Sequence, residues 1–470
     1  MSSKPESVYK SYDIRGIYGA TLTDRLAYLI GRAFATFLGG EGKTLVIGRD
    51  CRPHSEALFK HFSDGVRDQG FNVIDIGPVS TPMTYHAAGA FKADGAVMIT
   101  ASHNPPEWNG FKLCREGVVP VSGDTGIMDI KAIVESQKFA PKAKTRGTMK
   151  RKNIGAQYAA FVRGFSQLAK PLPVALDFAN GMGVKEAQAL PPEIVATRLF
   201  GTLDGTCPNH PANPLEPENL HDLQKTVRAG KFAFGAAFDG DADRAGFIDE
   251  KGGIIPPYLV TALIAGELLK AEKGAAILYD LRSSLVVKEV VEKRGKAMMT
   301  RVGHSHIKAH MRKEDAVFAG ELSGHYYFKA NHTAESAALA VLLVANIVAK
   351  SGKPLSQLIQ PLRKHHHSGE INFTVARDPR QILADIKAAY SDGRVFELDG
   401  VSVEYPDWWF NIRCSNTEPL VRLNLESVKS PAHMVAKRDE LKAAIACAAI
   451  VPATGKPIAK LLKALREYAG

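Results

Sequence analysis

Asp94-Gly-Ala-Val-Met-Ile-Thr-Ala-Ser-His-Asn-Pro-Pro-Glu-Trp-Asn-Gly-Phe-Lys112 joins an apolar run, short enough for a buried strand, to a loop that cannot continue it. Asn104-Pro105-Pro106 ends regular structure, because proline lacks an amide hydrogen and restricts the residue before it. A Ser-His pair, Ser102 and His103, is thereby held on a stiff loop at a strand end, where α/β proteins collect their chemistry. Taken alone, the serine has three readings: nucleophile, phosphate acceptor, or ordinary turn former.

On both sides the chain alternates strand and helix. Leu22 to Leu38 has a helical pattern, and Thr44 onward is a strand running into a polar turn. Ser55 to Gln69 reads as a helix with Ser55 as its cap, Phe71 to Ile76 as a strand, and Thr81 onward as a helix. The alternation predicts an α/β layer with a largely parallel sheet. The basic stretch Phe139 to Lys152 then reads as a connector between domains. A second α/β pattern runs from Leu172 through a Gly-rich turn at Ala179 to Gly183, a helix Leu220 to Arg228 and a buried strand Phe232 to Phe238. The third contains a helix Leu259 to Leu269, a strand Ala276 to Tyr279, a helix Ser284 to Lys293 and an apolar helix from Ala337. Near Ser368 the texture changes. Strands at Ile371, Val401, Trp408 and Val421 follow one another with a helix over Pro379 to Tyr390, which predicts an α+β domain.

A chain of 470 residues is too long for one core and allows roughly three or four domains. Five cysteines without a CxxC pair suggest neither a disulfide framework nor a zinc site. Met1 to Glu6 lacks an apolar signal core, and Ala337 to Ala349 is too short for a membrane span, so a cytoplasmic protein with no membrane partner is expected. The net charge of +11 raises the question of an anionic partner. It concentrates in Lys138 to Lys152 and in a tail with Lys456, Lys460, Lys463 and Arg466. Neither is interleaved with aromatics or joined to a nucleic-acid-binding motif, so both read as solvated surface and no nucleic-acid partner is expected. The tract His365-His366-His367 reads as solvent-facing.

Asp239-Gly-Asp-Ala-Asp-Arg244 carries the sharpest chemical signal. Three carboxylates at alternate positions can converge on one hard cation, with Gly240 letting the backbone bend around it. An EF-hand loop is excluded, since its sixth place demands glycine and here holds Arg244. Mg²⁺ is the expected ion. Arg413-Cys-Ser-Asn-Thr-Glu-Pro419 sets a guanidinium beside small hydroxyl and amide side chains, a set that suits a phosphate. Gly320-Glu-Leu-Ser-Gly-His325 offers a carboxylate, a hydroxyl and an imidazole for vicinal sugar hydroxyls, and Gly303-His304-Ser305-His306 adds donors. Together these parts describe phosphoryl transfer on a phosphorylated sugar. No GxxxxGK[ST] loop or kinase signature points to ATP as donor.

The chain resembles the α-D-phosphohexomutase family, particularly its bacterial phosphomannomutase/phosphoglucomutase branch. The similarity covers nearly the whole length, with the Thr100, Asp239, Gly320 and Arg413 motifs in the family's order. Tyr12-Asp-Ile-Arg-Gly16 and Ser368-Gly-Glu-Ile-Asn372 match further family stretches. The resemblance implies three consecutive α/β domains with mixed sheets and a C-terminal α+β domain around a central cleft, divided as 1–147, 148–250, 251–366 and 367–470. It implies that Ser102 is a phosphoserine and that Mg²⁺ bridges it to Asp239, Asp241 and Asp243. His103, Arg15, Lys112 and Arg244 would stand near the reacting phosphate. Tyr12, Arg282, His304, Glu321, Ser323 and His325 would face the substrate, and Arg413, Ser415, Asn416 and Thr417 its non-reacting phosphate. Hexose phosphates would be the partners, glucose 1,6-bisphosphate or mannose 1,6-bisphosphate the activator, and a monomer or weak dimer the state. A hinge is expected near Lys364 to Gly369.

Two departures stand out. Arg282 occupies a place where many relatives have lysine, and Asn331-His-Thr-Ala-Glu-Ser336 lacks the usual acidic Asp-Gly. A phosphoglucosamine mutase is the alternative within the family. A nucleic-acid-binding protein is the alternative outside it, and it explains neither the serine loop nor the acidic cluster.

Overall fold

The computed structural model describes residues 7–414 and 420–450. The first sheet holds β1 (Ile14–Ile17), β2 (Thr44–Arg49), β3 (Asn72–Pro78), β4 (Gly95–Ile99), β5 (Trp108–Arg115), β6 (Val119–Val121) and β7 (Met149–Arg151), in the order β1-β5-β4-β2-β3-β7 with β6 beside β5. The second holds β8 (Leu172–Asp177), β9 (Ile194–Leu199), β10 (Phe234–Phe238), β11 (Ala245–Asp249) and β12 (Ile254–Ile255), in the order β12-β11-β10-β8-β9. In the third, β13 (Ala276–Asp280), β14 (Lys296–Thr300), β15 (Phe318–Gly320), β16 (Tyr326–Phe328) and β17 (Ala334–Glu335) run β14-β13-β15-β16-β17. The fourth is antiparallel throughout. Its β18 (His366–Thr374), β19 (Arg394–Phe396), β20 (Val401–Glu404), β21 (Trp408–Cys414) and β22 (Leu420–Ser427) run β18-β22-β21-β20-β19. Three α/β units and one α+β unit are borne out.

One device recurs three times. In each α/β sheet a buried parallel strand is followed by a loop and then by an antiparallel return strand. The pairs are β4 with β5, β10 with β11 and β15 with β16. The intervening loops carry Ser102, the three aspartates and Glu321. The largely parallel first sheet expected from alternation is therefore mixed, because the chain doubles back once its parallel strand is buried.

One apolar core runs through the first three units, from Ile74 and Met83 through Leu176 and Phe238 to Ile277 and Leu339, and the first unit has a second core around Phe34, Phe62 and Phe111. The fourth unit has a core of its own, built from Ile386, Phe410, Leu423 and Ile445. The helix Ala337–Ser351 is apolar all round and correspondingly buried. No single helix among the described residues is long and apolar enough to cross a membrane.

Local structure corrects three expectations. Ser55 is the first residue of the helix Ser55–Asp68 and not its cap; His54 holds that place, and the Ser55 hydroxyl donates to Asp50 at 2.5 Å. The stretch after Phe139 is not a free connector. Lys142 pairs with Asp68 at 2.7 Å, Arg146 with Asp68 at 2.9 Å, and β7 extends the first sheet beyond residue 147. The histidine tract is half-buried, since it leads into β18 between the third and fourth units. His365 meets Glu289 at 2.6 Å, and His367 lies between the rings of Tyr258 and Trp409.

Glu186 joins the three α/β units from inside. It accepts hydrogen bonds from Ser80 Oγ, from Tyr158 OH at 2.9 Å and from the Ala338 amide at 3.2 Å. Burial pushes its carboxyl from the ordinary 4.5 up to about 7, against those donors. The folded chain therefore holds a proton that the unfolded chain releases, and stability is expected to fall as pH rises from about 4.5 to about 7. Urea midpoints across that window should decline in the native chain and flatten in Glu186→Gln; parallel curves would refute this.

Candidate active site

Ser102 sits at the tip of the first return loop with a left-handed φ of 52°, costly for a residue with a Cβ. Its hydroxyl donates to Asp239 Oδ2 at 2.7 Å, and His103 Nδ1 lies 3.3 Å away. The two loops close on each other because residue 240 is glycine: a Cβ there would collide with the Ser102 carbonyl oxygen. The Gly-rich turn near Ala179 braces the acidic loop from behind, with the Met182 amide donating to the Gly240 carbonyl at 2.9 Å. Its glycines are thus a packing turn.

Oxygen atoms of Asp239, Asp241 and Asp243 all lie within 4.8 Å of one another, in full burial. Lys112, on the return strand β5, sends its ammonium to Asp241 at 2.6 Å and Asp243 at 2.5 Å. Burial works against that charge, but the three carboxylates outweigh it and hold the lysine above its ordinary pKa. It is a charge partner of the triad, not a proton acceptor. Burial and the neighbouring Asp243 and Asp241 push Asp239 up. Asp243, although buried, is held down by Lys112 and His325. Asp241 Oδ1 is buried with no hydrogen-bond donor among the described residues. An all-oxygen donor set with such an orphaned atom fits a hard divalent cation.

His103 is kept neutral by Arg244 first, then by burial and Arg15. Arg15, on β1, binds the Ala101 carbonyl at 3.2 Å and the side chains of Asn104 and Asp13. Arg244 Nε stands 3.7 Å from Asp239 and 3.2 Å from His325 Nε2. The Gly320–His325 loop is thus wired to the acidic loop. His325 faces Glu321 at 3.0 Å and Asp243 at 3.2 Å, and Ser323 reaches its Nδ1 at 2.7 Å. Burial disfavours its charge, but Asp243 and Glu321 raise it to about 9.

Tyr12 donates to the Val302 carbonyl at 3.2 Å, and its ring lies 5.8 Å from that of His304, which burial keeps neutral. Arg282 is only 5% exposed and binds Asp280 at 2.7 Å, Glu321 at 3.2 Å and, across to the fourth unit, Glu370 at 3.2 Å. Glu370 also receives Arg413 at 2.7 Å and Arg422 at 3.4 Å. Arg413 and Arg282 thus meet on one carboxylate of the fourth unit. Ser415, Asn416 and Thr417 lie outside the described residues.

Three further residues brace these loops without a signal in the sequence. Thr81 fastens the first unit to the acidic loop, its amide donating to the Asp241 carbonyl at 3.0 Å and its hydroxyl to the carboxylate at 2.5 Å. Glu335, from the stretch that departs from the family pattern, converges with Asp243 and His325 and pairs with Lys308 at 2.6 Å. Arg52, in the polar turn after β2, grips the serine loop by its backbone carbonyls.

Models of the four phosphoglucomutase/phosphomannomutase domains match in order: alpha/beta/alpha domain I at residues 6–141, II at 156–253, III at 256–365, and the C-terminal domain at 370–444. A phosphomannomutase of Vibrio cholerae is 38% identical over 457 residues, covering 93% of this chain and 98% of that one. A phosphoglucomutase of Neisseria meningitidis is 37% identical over 437 residues, covering 91% and 94%. The crystal structure of a phosphoglucomutase/phosphomannomutase family protein from Burkholderia thailandensis superposes with a TM-score of 0.86 at 32% identity, covering 96% and 99%. Four matched domains, near-complete relatives and a shared overall fold place the chain in the phosphoglucomutase/phosphomannomutase family.

Proposed function

We propose that this enzyme interconverts hexose 1-phosphates and hexose 6-phosphates, of mannose or glucose or both, through a phosphoserine at Ser102. The observation that carries this reading is the Ser102 hydroxyl 2.7 Å from Asp239, within a buried triad of carboxylates. Asp239, Asp241 and Asp243 would hold Mg²⁺, which when bound supplies charge neutralisation at the phosphoryl oxygens. The phosphoryl group leaves Ser102 Oγ for the free hydroxyl of the bound hexose phosphate, so that one P–O bond breaks, another forms, and the proton of that hydroxyl ends on the departing Oγ. The bisphosphorylated sugar then turns over, and its other phosphoryl group passes to Ser102. His103 is the neutral acceptor 3.3 Å from Oγ for the serine proton on that return, a task closed to Lys112 by its two carboxylate partners.

Glu321, Ser323 and His325 hold sugar hydroxyls, with Tyr12, Arg282 and His304 beside them. Arg413, with Ser415, Asn416 and Thr417, takes the non-reacting phosphate. Glucose 1,6-bisphosphate or mannose 1,6-bisphosphate serves as activator by charging Ser102. The separate core of the fourth unit supports a hinge near Lys364 to Gly369 that closes the cleft against water. We place the unit divisions near 147, 250 and 366, the first shifted past β7, and take the enzyme as a cytoplasmic monomer or weak dimer without nucleic-acid or membrane partners.

Mannose, glucose and glucosamine 1-phosphates should be assayed side by side with Mg²⁺ and a trace of glucose 1,6-bisphosphate. Mannose or glucose phosphate is expected to convert at least about tenfold faster than glucosamine phosphate. Conversion of none overturns the reading, and a preference for glucosamine overturns the hexose assignment.

A further inference from the structure

A concave site that shares no lining residue with the candidate active site lies at the junction of the first two units. This groove, of about 800 Å³, is floored by Ile76, Pro78, Val79 and Met83 from the first unit and by Tyr158 and Ala159 from the second. Four cations line it: Arg151 and Lys152 follow the first sheet's edge, and Arg163 and Lys185 come from the second unit. The lining contains no acid, and among the described residues no carboxylate pairs with any of the four. The Arg163 guanidinium is set in place by the Leu190 carbonyl at 3.1 Å and the Gln188 carbonyl at 3.0 Å, both uncharged partners that leave its charge unspent. The volume falls within the range of small-molecule sites, and the composition asks for a ligand with an apolar body and several negative charges. An extended nucleic acid would need a continuous basic track instead of a short groove.

We propose that the groove binds a nucleotide-sized organic phosphate, its ring on the Ile76–Met83 floor and its phosphates among Arg151, Lys152, Arg163 and Lys185. The basic run that sequence alone assigns to a solvated connector thereby gains a ligand. Such a ligand bridges the units that carry the serine loop and the metal loop. Met83 belongs to the helix Thr81–Ala90, whose first residue holds Asp241, and Tyr158 reaches Ser80 through Glu186. Occupancy is therefore expected to raise the melting temperature of the full chain by mass action.

The test is a titration of the full chain with a fluorescent adenosine diphosphate at physiological ionic strength. Arg163→Glu/Lys185→Glu should weaken binding at least about tenfold. Ala156→Trp, which fills the groove and keeps every charge, should do the same. Arg413→Ala should leave binding unchanged, and all groove variants should keep the basal turnover of the native chain. Pyrophosphate and adenosine, tried separately as competitors, should each bind at least about tenfold more weakly than the diphosphate. Binding abolished by Arg413→Ala, binding untouched by the groove variants, or pyrophosphate as tight as the nucleotide would each overturn the proposal. A groove variant that fails to fold shows itself in the melting curve, and the Trp variant then decides.

Discussion

Ser102→Ala is expected to lower turnover by at least about 10⁴-fold and to leave the chain unable to take up phosphate from a hexose bisphosphate. The expectation separates chemistry from folding. Alanine loses one hydrogen bond to Asp239, whose Oδ1 still accepts from the Asp243 and Arg244 amides at 3.1 Å each. That costs roughly 1 to 3 kcal/mol, well short of unfolding a chain with a core shared by three units. The left-handed φ of 52° burdens serine and alanine alike. Ser102→Gly removes that burden, so an equal loss in both variants assigns the defect to the missing hydroxyl. Hexose phosphate binding should persist in both, because Glu321, His325 and Arg413 make no contact with the serine side chain among the described bonds. Intact mass before and after incubation with glucose 1,6-bisphosphate reads phosphate uptake directly. A Ser102→Ala chain with turnover within about tenfold of the native one would end the phosphoserine reading.

Much of this site is legible in the sequence because its loops use residue types that advertise their chemistry. Alternating aspartates after an apolar strand have few other uses, and a serine before Asn-Pro-Pro must lie on a rigid bend. Where recognition runs through the backbone, no residue type records it. Thr81 holds Asp241 partly through its amide, and Arg52 holds the serine loop through carbonyls, so neither stands out from ordinary turn or cap residues. Nor does spacing disclose that Lys112 sits inside the acidic triad, since the two meet only when the return strand β5 is laid beside β4. The threefold recurrence of strand, loop and return strand is also hidden, because the three loops share topology and not sequence. The histidine tract misleads for the opposite reason. Polar residues suggest solvent, yet these lead into a strand at the seam between two units.

Arg52→Met should cost the fold about 3–5 kcal/mol, the price of stranding a buried carboxylate, while Arg52→Lys should fold and lose about 10²-fold in kcat with KM unchanged. The guanidinium is enclosed and spans the loop: Nη1 donates to the Pro105 carbonyl at 2.6 Å and the Trp108 carbonyl at 3.0 Å, and Nη2 to the Ser102 carbonyl at 2.9 Å and the Asn104 carbonyl at 2.6 Å. Its Nε faces Asp50 at 3.2 Å. A planar fork with five donors can serve four carbonyls and a carboxylate together, and an ammonium with three cannot. Methionine preserves the stem volume but leaves Asp50 without its counter-charge and four carbonyls without donors. Lysine preserves the charge, so the fold survives and the geometry does not. Since all four carbonyls that the Arg52 guanidinium holds lie on the loop that carries Ser102, a displaced serine should show in the rate of phosphoryl transfer and not in sugar binding. Urea midpoints, kcat and KM measured on both variants separate the two effects. Adding Asp50→Asn to Arg52→Met should recover part of the lost stability, because the stranded charge is then gone. If Arg52→Lys keeps both native stability and native kcat, the clamp does not position the serine.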